Sequence, residues 1–167
     1  MVFLLVTLIV APAMAQETCE IQRRGDESSG NFSLSTAPEF REQLLRVYEG
    51  ARGGGDISMV LAYQPGTLQM AIYYVGLEWA YLEGDGELET NIDGHDGPTV
   101  QAIGRQSDET DGVYFEVIAF NLTEELFRQI AGARRVRFRL PARHRLEREL
   151  RPVHINCFKS FLEALEQ

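Results

Sequence analysis

Lysine is nearly missing from this 167-residue chain: Lys159 is the only one, against fifteen arginines. That shortage removes two familiar chemistries. No Gly-Lys-Ser or Gly-Lys-Thr follows Gly53-Gly54-Gly55, so a phosphate-cradling loop would lack its cation and its metal-binding hydroxyl, and the triplet reads as a flexible joint. Neither Ser-x-x-Lys nor Gly-x-Ser-x-Gly occurs, and Ser33, Ser58, Ser107 and Ser160 carry no local signature of a nucleophile. Histidine is scarce too. His95, His144 and His154 show no paired spacing, which argues against zinc, and no cofactor motif appears.

Cysteine is limited to Cys19 and Cys157, one near each end, and two cysteines so placed in an exported chain predict a single disulfide. Long apolar runs are limited to the first fifteen residues, MVFLLVTLIVAPAMA. That run is shorter than the roughly 20 residues needed to cross a bilayer, and it ends in the small-x-small pattern Ala13-Met14-Ala15 that signal peptidase accepts. We read residues 1–15 as a signal peptide and 16–167 as a single exported domain, with no stable membrane span after cleavage. The basic n-region is absent, which leaves a membrane anchor and a buried strand as the competing readings. Arginine in place of lysine reads as the coding bias of a bacterial source, hence a periplasmic or secreted location.

The net charge of −9 disfavours bulk binding to nucleic acid. Its distribution is uneven. From Glu78 to Glu125 the only basic residues are Arg105 and His95 among thirteen acids, whereas Arg134 to Arg151 holds eight arginines and His144 against Glu147 and Glu149.

The best-patterned stretch runs from Gly112 to Ala142. Val113–Phe120 is aromatic and β-branched on both alternating faces, which predicts a strand in the middle of a sheet. Thr123 is placed to cap a helix that opens with Glu124 and Glu125 and carries Leu126, Phe127, Ile130 and Ala131 on one face. Gly132 is predicted to end it in the left-handed conformation, and a strand returns from Arg135 to Leu140 before Pro141. Upstream, 17–35 reads as a loose arm with a short strand near 32–35, and 38–50 as an amphipathic helix opened by Pro38. Three hairpins follow: 57–63 with 68–75 about Pro65-Gly66, 77–82 with 87–92 about Gly84-Asp85-Gly86, and 100–106 with 113–120 about 108–112. Residues 142–150 read as an exposed connection, and 153–165 as a final helix with Cys157 on its apolar face. The expected fold is therefore α+β, a single domain in which an antiparallel-dominated sheet of about six or seven strands has two or three helices packed on one face.

Four features bear on chemistry. Asn91, Asp93 and His95 alternate as hard-cation ligands would, but the twelfth position from Asn91 is Ala102 where a calcium loop needs Glu, so Asp93-Gly94-His95-Asp96-Gly97 reads as a turn and no metal site is assigned. Glu87 and Glu89 share a strand face, as a glycosidase pair would, but read as a solvated surface, and no catalytic residue is assigned. Trp79, Tyr81, Tyr73 and Tyr74 offer sugar-stacking surfaces, although some must be core. The fourth is an arginine comb: Arg135, Arg137 and Arg139 alternate with Val136, Phe138 and Leu140, with Arg143 just beyond. Such a row can hold phosphate, sulfate or carboxylate bidentately, or can pair with Glu87, Glu89 or Glu116 on a neighbouring strand.

The composition thus points to a non-catalytic exported binding or accessory domain for an anionic envelope component or an envelope protein partner, with Arg135, Arg137, Arg139 and Arg143 as ligand-binding residues. One alternative is a secreted hydrolase using Glu116, Asp93 and His95; a second is a structural or inhibitory protein-interaction domain.

Overall fold

The turn signals and alternating apolar residues from residue 55 onward produce a long antiparallel meander. The computed structural model describes residues 19–26, 31–36, 55–143 and 146–167. The expected signal peptide at 1–15, the helix expected at 38–50, and most of the triple glycine lie outside those residues. In chain order the elements are β1 (Ile21–Asp26), β2 (Asn31–Thr36), β3 (Gly55–Gln64), β4 (Thr67–Gly76), β5 (Glu87–Ile92), β6 (His95–Asp96), β7 (Val100–Thr110), β8 (Val113–Leu122), α1 (Glu124–Gly132), β9 (Val136–Leu140), β10 (Leu146–Glu149) and α2 (Pro152–Leu165).

The ten strands form one sheet in the order β1-β2-β3-β4-β8-β7-β5-β9-β10, with β6 hairpinned onto β5. Every pairing is antiparallel. The α+β expectation holds, with more strands than anticipated and two helices among the described residues. Gly66, at φ 80, makes the β3–β4 turn, and Asp111-Gly112, both with positive φ, closes the β7–β8 hairpin. Asp and Gly tolerate that conformation, which matches the twist of the flanking strands.

β8 lies between β4 and β7, in the middle of the sheet as its composition predicted. Its two faces differ, however. Glu116, Ile118, Phe120 and Leu122 are buried, whereas Phe115 on the other face is 41% exposed. One apolar cluster takes Met59, Leu61, Met70, Ile72, Ile118 and Phe120 from the long strands, Leu88, Val136, Phe138 and Leu140 from β5 and β9, and the inner faces of both helices. β7 joins the two parts of the sheet: Val100 and Gln101 pair with β5, and the rest of the strand pairs with β8 after a bulge between Ala102 and Gly104.

Thr123 caps α1, its hydroxyl accepting from the Leu126 N–H at 3.2 Å, and Leu126, Phe127, Ile130 and Ala131 are its buried residues. Gly132 departs from expectation. It is the last helical residue, and the helix stops in extended Ala133, whose N–H donates to the Ile130 carbonyl. Phe127 meets Phe158 and Phe161 of α2 at 4.7 and 5.6 Å between ring centroids. Neither of these helices is long and apolar enough to cross a membrane.

Three further expectations are corrected. The described part of the N-terminal arm is not loose: β1 pairs with β2 over six residues, Ile21 opposite Thr36 through Asp26 opposite Asn31. Residues 77–82 are not a strand; Tyr81 turns to φ 55 and only Leu82 bridges, to Ala142. Residues 142–150 are not simply an exposed connection, because Leu146–Glu149 forms β10 and Leu146 and Leu150 enter the core. Cys19 and Cys157 are bonded, with Cα atoms 5.1 Å apart, a chemistry that suits an oxidising compartment.

His154, in the first turn of α2, is fully buried, and its Nδ1 accepts from the Arg151 N–H at 3.1 Å. Burial, reinforced by the Arg151 charge, lowers its pKa to about 4. The unfolded chain therefore binds a proton near pH 6.5 that the folded chain refuses until about pH 4. Its contribution is complete above pH 6.5 and is lost as pH falls through that window, by roughly 3 kcal/mol at 1.36 kcal/mol per pKa unit. Urea titrations from pH 7 to 4 should show a steeper loss of stability for the native chain than for His154→Gln; equal slopes would remove His154 as the cause.

Candidate functional site

The arginine comb begins at Arg135, just before β9, and continues with Arg137 and Arg139 on that strand, and its guanidinium groups are matched by acids. Arg139 lies between Glu147 of β10, at 3.1 Å, and Glu89 of β5, at 2.7 Å. Arg135 contacts Glu149 at 2.6 Å, and Arg137 reaches the same carboxylate at 3.7 Å. The hydrogen bonds to Glu147 and Glu89 raise the Arg139 pKa, the bond to Glu149 raises that of Arg135, and the Arg135 guanidinium holds the Glu149 carboxyl below its usual range. These pairs are solvent-exposed and each contributes little to stability. Their consequence is electrostatic: an incoming anion must compete with a carboxylate already in place.

Glu89 was among the expected cross-strand partners, whereas Glu147 and Glu149 come from a strand the sequence reading had missed. Glu87 stands opposite Gln101 and takes no part. Arg143 differs from the comb. It pairs with no carboxylate among the described residues; its guanidinium lies over the Tyr81 ring, 5.4 Å from the centroid, and its backbone N–H donates to the Tyr81 carbonyl at 3.0 Å.

Tyr81 leads to the second arrangement, built around Glu116. This residue shares the β8 face that carries Ile118 and Phe120, so the pleat carries its carboxylate into the interior. A buried carboxylate needs donors, and Glu116 has three: the Tyr81 N–H at 2.9 Å, the Leu82 N–H at 3.0 Å and Arg105 Nη2 at 3.0 Å. Arg105 projects from β7 with 34% of its side chain exposed, while the Glu116 side chain is fully buried. Gly84 lies against the Arg105 stem so closely that a Cβ there would stand 3.0 Å from Arg105 Cβ. Tyr74 supports the same segment from beneath, its hydroxyl donating to the Glu78 carbonyl at 2.8 Å, and burial, with Glu116 and Glu78 nearby, pushes that hydroxyl's pKa up.

These contacts bend residues 77–85 over the end of the sheet and open a cleft of about 540 Å³ lined by Tyr81, Leu82, Glu83, Gly84, Asp85, Arg105 and Arg143. Small-molecule sites occupy about 300–1,000 Å³. Of the four predicted ligand-binding arginines, the cleft takes Arg143 alone. Of the four aromatic residues with stacking surfaces, Tyr74 is buried, Tyr73 is half-buried on β4, Trp79 packs on Tyr114 at 4.6 Å between centroids, and Tyr81 is 43% exposed at the cleft.

The residues of the hydrolase alternative have other duties. Asp93 and Gly94, at φ 51 and 89, turn the β5–β6 hairpin, and Asp93 Oδ1 accepts from the Arg134 and Arg135 N–H groups at 3.0 and 2.8 Å. Asn91 donates to Asp96 at 3.0 Å across that hairpin. His95 is exposed on β6. Glu116 is held by the donors named above, and no hydrogen bond joins it to Asp93 or His95 among the described residues. Nor do three His, Cys, Asp or Glu side chains gather there as metal ligands would.

No family model, curated protein or solved structure matches this chain, so its function is argued from the chemistry of the cleft.

Proposed function

We propose that this chain is a non-catalytic binding domain of an exported, periplasmic or secreted protein, and that it holds an anionic ligand at the cleft formed by Tyr81, Arg105 and Arg143. One observation carries the reading: two guanidinium groups converge on one cleft, each fixed by its own anchor. Arg105 is tied to a fully buried carboxylate, and Arg143 is stacked on a tyrosine and pairs with no acid among the described residues. Fixed guanidiniums lose less side-chain entropy on binding and offer planar, bidentate donor geometry. The comb's guanidinium groups, by contrast, already meet Glu89, Glu147 and Glu149. The disulfide supports the exported setting.

Heparin-agarose chromatography tests this. A protein of net charge −9 has no overall reason to be retained on an anionic matrix. Retention at low salt is expected nonetheless, with elution as salt screens the contact. Arg143→Ala should elute at clearly lower salt, while Arg137→Ala, whose guanidinium faces Glu149, should elute with the native protein. Flow-through of the native chain, or equal elution of both variants, would sink the proposal.

A further inference from the structure

Glu83 and Asp85 line the same cleft as Arg105 and Arg143. Arg105 is already matched by Glu116, so the remaining acids outnumber the remaining cation, Arg143. Free phosphate offers mainly negative oxygens and would gain from Arg143 while being repelled by Glu83 and Asp85. A ligand with one anionic group beside several hydroxyls gains from both sets, because guanidinium binds carboxylate or sulfate and carboxylates accept hydroxyl protons.

A small zwitterion also combines donors with a negative charge, but it has no ring face to offer to the exposed Tyr81 at the cleft. The backbone supplies a second, independent observation. Tyr81 is a bulky residue held at φ 55, a conformation that persists only where its surroundings impose it. Three contacts do so here: its N–H on Glu116, its carbonyl under the Arg143 N–H, and its ring under the Arg143 guanidinium. The result presents a partly exposed aromatic ring at an open, shallow cleft, where the C–H face of a sugar ring can pack while its polar edge meets charged groups.

Building on the anion-binding reading above, we propose that the ligand is an acidic saccharide, a sugar chain bearing carboxylates. Its carboxylate is held by Arg143 and the outward N–H groups of Arg105, its hydroxyls donate to Glu83 and Asp85, and its apolar face rests on Tyr81.

The test is a calorimetric and NMR titration of the oxidised protein at low ionic strength with four probes: digalacturonate, the neutral disaccharide galactobiose, inorganic phosphate and the zwitterion glycylglycine. Digalacturonate should bind at least tenfold more tightly than each of the others and shift amide resonances at 81–85, 105 and 143. Glu83→Gln with Asp85→Asn should weaken digalacturonate several-fold and strengthen phosphate. Phosphate binding as tightly as digalacturonate, or glycylglycine binding more tightly, overturns the saccharide assignment and leaves a cleft for simpler ligands. Absence of any response to either digalacturonate or phosphate overturns the anion-binding reading as well.

Discussion

Replacing Glu116 with alanine is expected to cost about 3 kcal/mol, the lower end of the range of roughly 3–5 kcal/mol for breaking a buried ion pair from one side. Three donors lose their acceptor together: the Tyr81 and Leu82 N–H groups and Arg105 Nη2. The two backbone groups lie in residues 77–82, outside the strands, so no sheet ladder supplies them with an acceptor. Arg105 already exposes about a third of its side chain to water, which places the loss near the lower bound. Chemical denaturation should report the loss as a lower midpoint with an unchanged slope. Glu116→Gln keeps an acceptor oxygen but sets an amide NH₂ against donors, so a smaller loss is expected. A double-mutant cycle of Glu116 with Arg105 should give a coupling of at least about 0.5 kcal/mol, as residues sharing one network do. A cost below about 1 kcal/mol for Glu116→Ala would mean that the carboxylate does not hold the segment. Cleft binding should also fall in this variant, since Tyr81 would no longer be fixed beneath Arg143.

The same carboxylate explains what could and could not be read from sequence. Local signals were sufficient for the β3–β4 hairpin, where Pro65-Gly66 sits between alternating strands, and for β8, α1 and β9, where a capping Thr123 and an apolar helical face agree with the strand pattern. They misled at 77–82. Leu77, Trp79 and Tyr81 alternate with Ala80 and Leu82 as a strand would, but the N–H groups of Tyr81 and Leu82 go to a side chain 34 or 35 residues away in sequence. A long-range acceptor overrode local propensity there. The signal available was Glu116 itself: it shares alternation with Ile118, Phe120 and Leu122, and an acid on a core-facing stripe implies donors brought from elsewhere.

β10 was hidden in a similar way. Arginine-rich composition made 142–150 look like a connection, yet Leu146 and Leu150 alternate with Glu147 and Glu149, the period expected of a half-buried strand beside a basic one. Once β10 is in place, its acids neutralise the comb, and the candidate site moves to Arg143, which pairs with no acid among the described residues. Of the residues that line the cleft, the sequence singled out Arg143 among the candidate ligand-binding arginines and Tyr81 among the candidate stacking surfaces. Arg105 was visible only as an isolated cation among acids, because its role depends on the β7–β8 register that sets it near Glu116.

Removing the disulfide is expected to have the largest effect on stability. The bridge joins residues 138 apart, and the chain-entropy model assigns a loop of that length about 5 kcal/mol. Among the described residues, few other contacts join β1 to α2. Near the bridge, β1 is tied to α2 by Arg23, whose guanidinium donates to the Ala164 carbonyl and lies 4.6 Å from the Phe32 ring centroid. Cys157 is fully buried on α2 beside Phe158 and Phe161, so Cys157→Ala also removes a packed sulfur from the core. Cys19→Ala with Cys157→Ala should therefore lose several kcal/mol, read from denaturant midpoints against the oxidised native chain. Reduction of the native protein separates cross-link from packing, since it opens the bridge and keeps both sulfurs. If the double variant and the reduced native chain lie within about 1 kcal/mol of the oxidised protein, the bridge is not a major support. Domains of this kind are stable by only about 5–15 kcal/mol, so a loss on the predicted scale would leave the reduced chain marginal. Folding yield should then depend on an oxidising compartment, and β1 and α2 amides should be the first to lose hydrogen-exchange protection when the bridge is opened.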